Sequence, residues 1–213
     1  MLEDGVVIVG AGGHAKVVIE ILRSSGIRIA GLTDSNPDKF SLLGSPVWGD
    51  DGVLSELFAK GARKGFVALG DNEMRLEAGL RLRRLGFEIV NAISPRARIS
   101  PSARLGRGIA VMPGATINAE ARIDDFAIIN TGAIVEHDAV IGLASHIGPG
   151  AALAGGVRVG EGAFVGIGAS VVPGCTIGKR TIVGAGACVV GDLPEGVVAV
   201  GIPAVVARSS DRP

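Results

Sequence analysis

The chain has 213 residues, 21 of them Lys or Arg and 21 Asp or Glu, so its formal net charge is zero. A balanced surface gives no electrostatic footprint for nucleic acid or for an anionic membrane, and any phosphate contacts must be local. Hydrophobic residues make up 47%, aromatics only 3%, and there are 34 glycines without a collagen period, a composition that calls for a core of small repeated side chains.

Taken in chain order, residues 1–92 read as a small α/β unit. "GVVIVG" is a short apolar run closed by glycine, as a buried parallel strand should be, and "HAKVVIEILRSSG" carries helical spacing closed by Gly26. "IRIAGLTD" reads as a second strand ending at Asp34, and "KGFVALGDN" as a third, with Asp71 or Asn72 capping the helix "EMRLEAGLRLRRLG". "FEIVNAIS" supplies a fourth strand. Strands alternating with helices imply a parallel sheet with right-handed crossovers, a small Rossmann-like domain. The N-terminus lacks a basic leader and its apolar run is broken by "GAGGH", so neither a signal peptide nor a membrane span is read, and a soluble cytoplasmic protein is expected.

The loop "GAGGHA", Gly10 to Ala15, has glycines spaced as G-x-G-x-x-A between a strand and a helix. That context suits a phosphate at a helix N-terminus. A tight strand-to-helix turn needing glycine is the plainer reading. Asp34 ends the second strand, where a dinucleotide fold contacts a ribose, but four strands are closer to half of such a fold.

From Ile93 the pattern changes. An aliphatic residue recurs at every sixth position from Ile93 to Val189, and four positions after each there is usually a small one, such as Ala115, Ala121, Ala127, Ala133, Ala139 and Ser145. Neither the helical period nor the strand period fits; the hexapeptide period specifies a parallel β-helix, a triangular prism in residues 93–213. Three hexapeptides make one coil, so residues 18 apart stack at about 4.8 Å. Cys175 and Cys188 are then small packing residues.

The prism turns "NTGAIVEHDAVIGLASHIG" into geometry. Glu136 should stack on Asn118, Gly155 should pass beside His137, and Gly148 should stack on Asn130. Neither His137 nor His146 falls in the interior slot. The plainer reading is two corner residues on the surface. A histidine next to a carboxylate is instead oriented and made more basic, which suits a general base. Asp138 and Glu136 are both candidates for that carboxylate, and Gly155 brings an N–H close without a side chain, as an oxyanion donor needs.

These stretches resemble the bacterial nucleotide-amino-sugar N-acetyltransferases, relatives of the sialic-acid O-acetyltransferases. "VIVGAGGHAKVV" resembles their N-terminal glycine-rich loop, "FVALGDNEMR" their third-strand segment, "INTGAIVEHDAVIG" and "SHIGPGA" their active-site coils, and "GVVAVGIPA" their terminal acetyl-CoA segment. The resemblance implies a left-handed β-helix acting as a homotrimer, with active sites between subunits and acetyl-CoA as cosubstrate. It implies His137 as base or amine-positioning group, with Asp138 at a position often occupied by glutamate. It further implies Asn130 and Glu136 near the sugar, His146 and Gly155 at the thioester, and Lys179, Arg180, Gly201 and Pro203 along the acetyl-CoA groove. Gly12, Gly13, His14, Asp34, Gly70, Asp71 and Asn72 would line the nucleotide-sugar cleft.

The function so implied is acetyl transfer to the 4-amino group of a UDP- or GDP-linked 4-amino-4,6-dideoxy sugar, GDP-perosamine included, by direct attack on the thioester. The alternatives are O-acetylation of a sialic-acid-type sugar and non-catalytic sugar-nucleotide binding. A zinc enzyme of prism type would need three histidines at one site; the prism has two and His14 lies elsewhere, so no metal is expected.

Overall fold

A computed structural model describes residues 2–36 and 38–210. It divides into two compact units, Met1–Pro95 and Arg96–Pro213.

The first unit begins with β1 (Val6–Val9), every residue of which is buried, followed by α1 (Gly13–Ser24) and β2 (Ile29–Thr33). A segment that the sequence reading passed over comes next. It holds a short hairpin, β3 (Ser41–Leu42) and β4 (Ser45–Pro46), turned through Leu43 and Gly44 with φ of 46° and 74°. A single 3-10 turn (Asp51–Val53) and α2 (Leu54–Ala59) then lead into β5 (Lys64–Val67), α3 (Asn72–Arg84) and β6 (Glu88–Ile89). The sheet runs β2-β1-β5-β6 and is parallel throughout. Helix α1 buries Val18, Ile19 and Leu22 on one face, each contributing about 1.5–3 kcal/mol by leaving water.

The order of strands matters for function. After β1 the chain steps outward to β2 and then returns across to β5, so the topology switches direction at β1. A crevice opens outside the carboxyl ends of strands at such a point. The two loops there are Gly10–Gly12 after β1 and Ala68–Asp71 after β5. They are knit to the sheet by the Gly10 N–H to the Thr33 carbonyl (2.9 Å) and the Ala68 N–H to the Val9 carbonyl (2.7 Å).

The second unit is a parallel β-helix with three faces, each built of two-residue strands. The first face stacks Ala110–Val111, Ile128–Ile129, His146–Ile147, Phe164–Val165 and Ile182–Val183. The second stacks Arg98–Ile99, Thr116–Ile117, Ile134–Val135, Ala152–Leu153, Ser170–Val171 and Cys188–Val189. The third stacks Arg104–Leu105, Arg122–Ile123, Val140–Ile141, Arg158–Val159 and Thr176–Ile177.

Partners such as Ile117↔Val135 and Val135↔Leu153 are 18 residues apart, as the hexapeptide period requires. The aliphatic residues at every sixth position from Val111 to Val189 are at most 3% exposed. Ser145, in a slot otherwise held mainly by alanine, is buried with its hydroxyl donating to the Gly142 and Gly160 carbonyls, so no polar atom is stranded.

The period breaks only at the top. Ile182 pairs with Val198 and Ile177 bridges to Leu193, each 16 residues on, and the chain finishes in an antiparallel pair, Val197–Val200 with Val205–Ser209.

Candidate active site

From Gly108 to Gly186 every sixth residue, the last of its corner, lies in the left-handed region, where glycine is strain-free. Gly114, Gly132, Gly150, Gly156 and Gly174 fill that slot, all with φ between 65° and 75°. At one corner between the second and third faces the slot holds Asp138, φ 61°. Aspartate tolerates this conformation better than most residues, because its short side chain bonds locally. The gain is a contact: Asp138 Oδ2 lies 2.8 Å from His137 Nδ1. Of the two carboxylates the sequence left open, the imidazole pairs with Asp138, while Glu136 Oε2 reaches the His137 backbone N–H at 3.4 Å.

That geometry fixes the chemistry of the ring. Nδ1–H donates to the carboxylate, leaving Nε2 with its lone pair. The hydrogen bond to Asp138 raises the imidazole above its ordinary value, partly opposed by desolvation and helped by the charges of Asp138 and Glu136. Nε2 lies over Gly155, one coil on: a Cβ there would stand 2.7 Å from Nε2 and 2.6 Å from Cε1. The coil beneath is pinned by the Gly156 N–H donating to the His137 carbonyl at 2.9 Å. The Gly155 N–H has no partner among the described residues, so a basic nitrogen and an unspent donor share one corner. A notch of about 250 Å³ adjoins them on the third face, lined by Glu120, Arg122, Asp138, Val140 and Arg158.

His146 is elsewhere. It leads a strand of the first face, stacked between Ile128 and Phe164, with its ring edge-on to Phe164 at 5.0 Å. Its Nε2 lies 2.9 Å from Asn130 Nδ2, and Asn130 Oδ1 accepts from the Thr131 N–H at 2.7 Å. The second bond orients the amide, so Nδ2 donates and His146 Nε2 accepts. The His137 corner lies opposite the first face of a three-sided prism, so one chain does not bring His137 and His146 together.

Lys179 and Arg180 occupy a corner between the third and first faces. Lys179 pairs loosely with Glu161 (3.7 Å), both well exposed, and Arg180 takes a left-handed φ of 53°. Gly201, φ 98°, and Pro203 lie in the turn before the final strand, and the Gly201 carbonyl accepts from the Cys188 N–H.

In the first unit, a Cβ at Gly12 or Gly13 would meet nothing within 4 Å, and α1 begins without a side-chain cap. An open, uncapped helix N-terminus suits an anion. Asp34 accepts from the Ala11 N–H (2.8 Å), the Asn36 N–H (3.0 Å) and Lys39 Nζ (3.1 Å). Burial works against its charge, but these donors hold its carboxyl below the usual value. His14 is pushed down to about 4, by burial first and the charge of Arg75 second, so its ring is neutral. Asp71 caps α3 through the Met74 N–H, and Asn72 Oδ1 accepts from Arg75 Nη2 at 2.7 Å. Arg75 itself escaped the sequence reading, since a lone arginine in "NEMRLEAG" looks like a solvated helix face.

Among the described residues no three His, Cys, Asp or Glu side chains converge as a metal site, and no helix is long and apolar enough to cross a membrane.

Residues 5–79 match the PglD N-terminal domain and residues 156–191 the bacterial transferase hexapeptide, six repeats. PerB from Caulobacter crescentus, solved in complex with CoA and GDP-perosamine, is 56% identical; the match covers 95% of this chain and 96% of that one, with a TM-score of 0.92. The chain belongs to the PglD-like nucleotide-sugar N-acetyltransferases.

The acetyltransferase domain of PglB from Neisseria gonorrhoeae FA1090, solved with acetyl coenzyme A, is another member-like structure at 35% identity, covering 96% of this chain and 99% of that one, TM-score 0.89. UDP-N-acetylbacillosamine N-acetyltransferase of Bacillus subtilis (strain 168) is 42% identical over 112 residues, half of each chain. Matches to curated relatives span between 20% and 50% of those relatives' own lengths. The family and the two-part fold expected from the sequence are thus borne out.

Proposed function

We propose that this protein transfers the acetyl group of acetyl-CoA to the 4-amino group of a nucleotide-linked 4-amino-4,6-dideoxy sugar, with GDP-perosamine the first candidate. The observation that carries the proposal is the His137–Asp138 pair set over Gly155, in a chain 56% identical over nearly its whole length to a protein solved with CoA and GDP-perosamine.

The sugar amine attacks the thioester carbonyl carbon; a C–N bond forms and the C–S bond breaks. His137 Nε2 takes the proton that the amine sheds, Asp138 steadies the imidazolium, and the proton passes on to the leaving thiolate. The Gly155 N–H receives the oxyanion. No acyl-enzyme is needed. Asn130 and Glu136 hold the sugar, and Lys179, Arg180, Gly201 and Pro203 border acetyl-CoA. Gly12, Gly13, His14, Asp34, Gly70, Asp71 and Asn72 take the nucleotide, His14 as a neutral donor.

The site is shared between subunits of a homotrimer. Two features support this. The side chains of His137 and Asp138 are 62% and 65% exposed, too open for acyl transfer without a further wall. The second face, which ends at their corner, presents Thr116, Ile134, Ala152, Ser170 and Cys188 outward, uncharged above Arg98, with Ile134 exposed within it and Val172 and Val190 exposed beside it. An apolar strip of this kind marks a contact surface. A second subunit laid on it would bring its own His146 face toward His137. No metal takes part, and two unpaired cysteines suit a reducing, cytoplasmic setting.

The test is thiol release from acetyl-CoA with GDP-perosamine, a UDP-linked 4-amino-4,6-dideoxy sugar, free sialic acid or no acceptor. Release with an amino sugar supports the proposal and selects the nucleotide. Release with sialic acid alone replaces it with O-acetylation, and silence with all acceptors rejects catalysis on this substrate class.

A further inference from the structure

Arg75 is the bulkiest fully buried side chain among the described residues, 1% exposed. Burying a cation is costly unless its hydrogen bonds are met, and an aliphatic side chain would fill the same space without that cost. Arg75 meets them in a particular way. Nη1 donates to the carbonyls of Leu69 (3.1 Å), Gly70 (3.0 Å) and Asp71 (3.2 Å), and Nη2 to Asn72 Oδ1 (2.7 Å). One guanidinium thus gathers three consecutive carbonyls of the loop between β5 and α3.

Peptide planarity gives this a consequence. The N–H of each peptide points opposite to its C=O. With the Leu69 and Gly70 carbonyls drawn inward, the Gly70 and Asp71 N–H groups face away from Arg75. Neither has a partner among the described residues. Successive unspent N–H groups form a concavity that binds anions. The Asp71 carboxylate is turned instead to the Met74 N–H.

The segment that Arg75 holds touches the other loop of the crevice. Gly10 is packed against this segment so closely that a Cβ would stand 2.7 Å from Leu69 Cδ2 and 3.1 Å from the Ala68 carbonyl oxygen. His14, at the start of α1, has a buried Nε2 without a hydrogen-bond partner. Arg75 therefore holds the loop after β5, and that loop in turn packs against Gly10 of the loop after β1.

We propose that Arg75 is a positioning residue for diphosphate recognition: by holding the carbonyls of Leu69, Gly70 and Asp71 inward, it presents the Gly70 and Asp71 N–H groups to the diphosphate of the nucleotide-linked sugar. The inference rests on the nucleotide-sugar reading of this crevice and deepens it.

The experiment uses the full chain and three probes, GDP, UDP and guanosine. In the wild type, amide NMR resonances of Gly70 and Asp71 are expected to shift with a nucleoside diphosphate and not with guanosine. Arg75→Met is expected to raise KM for the nucleotide sugar on the order of tenfold or more, with Arg75→Lys intermediate, as loop misplacement does. The KM for acetyl-CoA and kcat should stay within about twofold, a split that general destabilisation does not produce.

Wild-type binding of a nucleoside diphosphate with both amides unmoved overturns the inference, and so does a folded Arg75→Met with unchanged KM. The amide measurement needs no variant, so it decides even if Arg75→Met does not fold. A wild type that binds neither GDP nor UDP removes the nucleotide reading itself, and the inference with it.

Discussion

His137 and Asp138 are consecutive residues whose side chains meet, Nδ1 to Oδ2 at 2.8 Å, because Asp138 takes a left-handed backbone in a slot that most other corners give to glycine. Neighbours in sequence rarely present their side chains to each other; the corner makes it possible. Replacing His137 with alanine should lower kcat by about 10²–10⁴-fold. The melting temperature should hardly move, because the ring is largely exposed. Turnover within a few-fold of wild type would remove His137 from proton transfer.

The pH dependence follows from the raised imidazole. A base must be neutral, so the acid limb of kcat/KM should fall above the ordinary histidine value of about 6.5. Asp138→Asn keeps a residue that tolerates the left-handed backbone but removes the charge, and it should move that limb to lower pH. The stability effect has the opposite sense to a carboxylate's: a group raised on folding stabilises fully below its unfolded value, and that contribution is lost as pH rises through the folded value. For so exposed a ring the stability change should be small while the kinetic limb shifts. An unchanged limb in Asp138→Asn would show that the carboxylate does not tune the ring.

Gly155→Ala tests the close approach. Its Cβ would meet His137 Cε1 at 2.6 Å, a side-chain atom that can swing away, and Gly155 is not in the left-handed region. The fold should survive with the imidazole displaced, so kcat should drop by about 10²-fold with little change in melting temperature. By contrast Gly148→Ala would drive a Cβ to 2.6 Å from the Val165 carbonyl oxygen, rigid backbone, and should lower stability instead. Thermal melts beside steady-state kinetics separate the two; equal effects of both variants on melting would contradict the distinction.

Much of this was legible in the sequence because a six-residue period leaves little freedom. Once 18 residues make a coil, Gly155 must pass His137, and it does. The choice between Glu136 and Asp138 was not legible, since it depends on the φ of one corner residue. Nor was the separation of His137 from His146, which needs three faces rather than linear spacing. Arg75 was hidden for another reason: burial of a charge is paid for by carbonyls, which carry no side-chain signal. The 16-residue pairing at the top marks where the hexapeptide rule stops, near Leu193 and Val198.

The separation of the histidines yields the sharpest test of the shared site. His137→Ala and His146→Ala should each be impaired alone, the first in kcat and the second in its use of acetyl-CoA. Co-refolded or co-expressed in equal amounts, they assemble at random if the protein is a homotrimer. A site that takes His137 from one chain and His146 from its neighbour is then intact at about a quarter of interfaces, since each side is native half the time. Activity should return to about that fraction of wild type. A site contained in one chain gives no recovery, because every chain carries one lesion. Full activity of His146→Ala alone would place that histidine outside the site. Each outcome is read by the same thiol-release assay, with oligomeric state confirmed by light scattering.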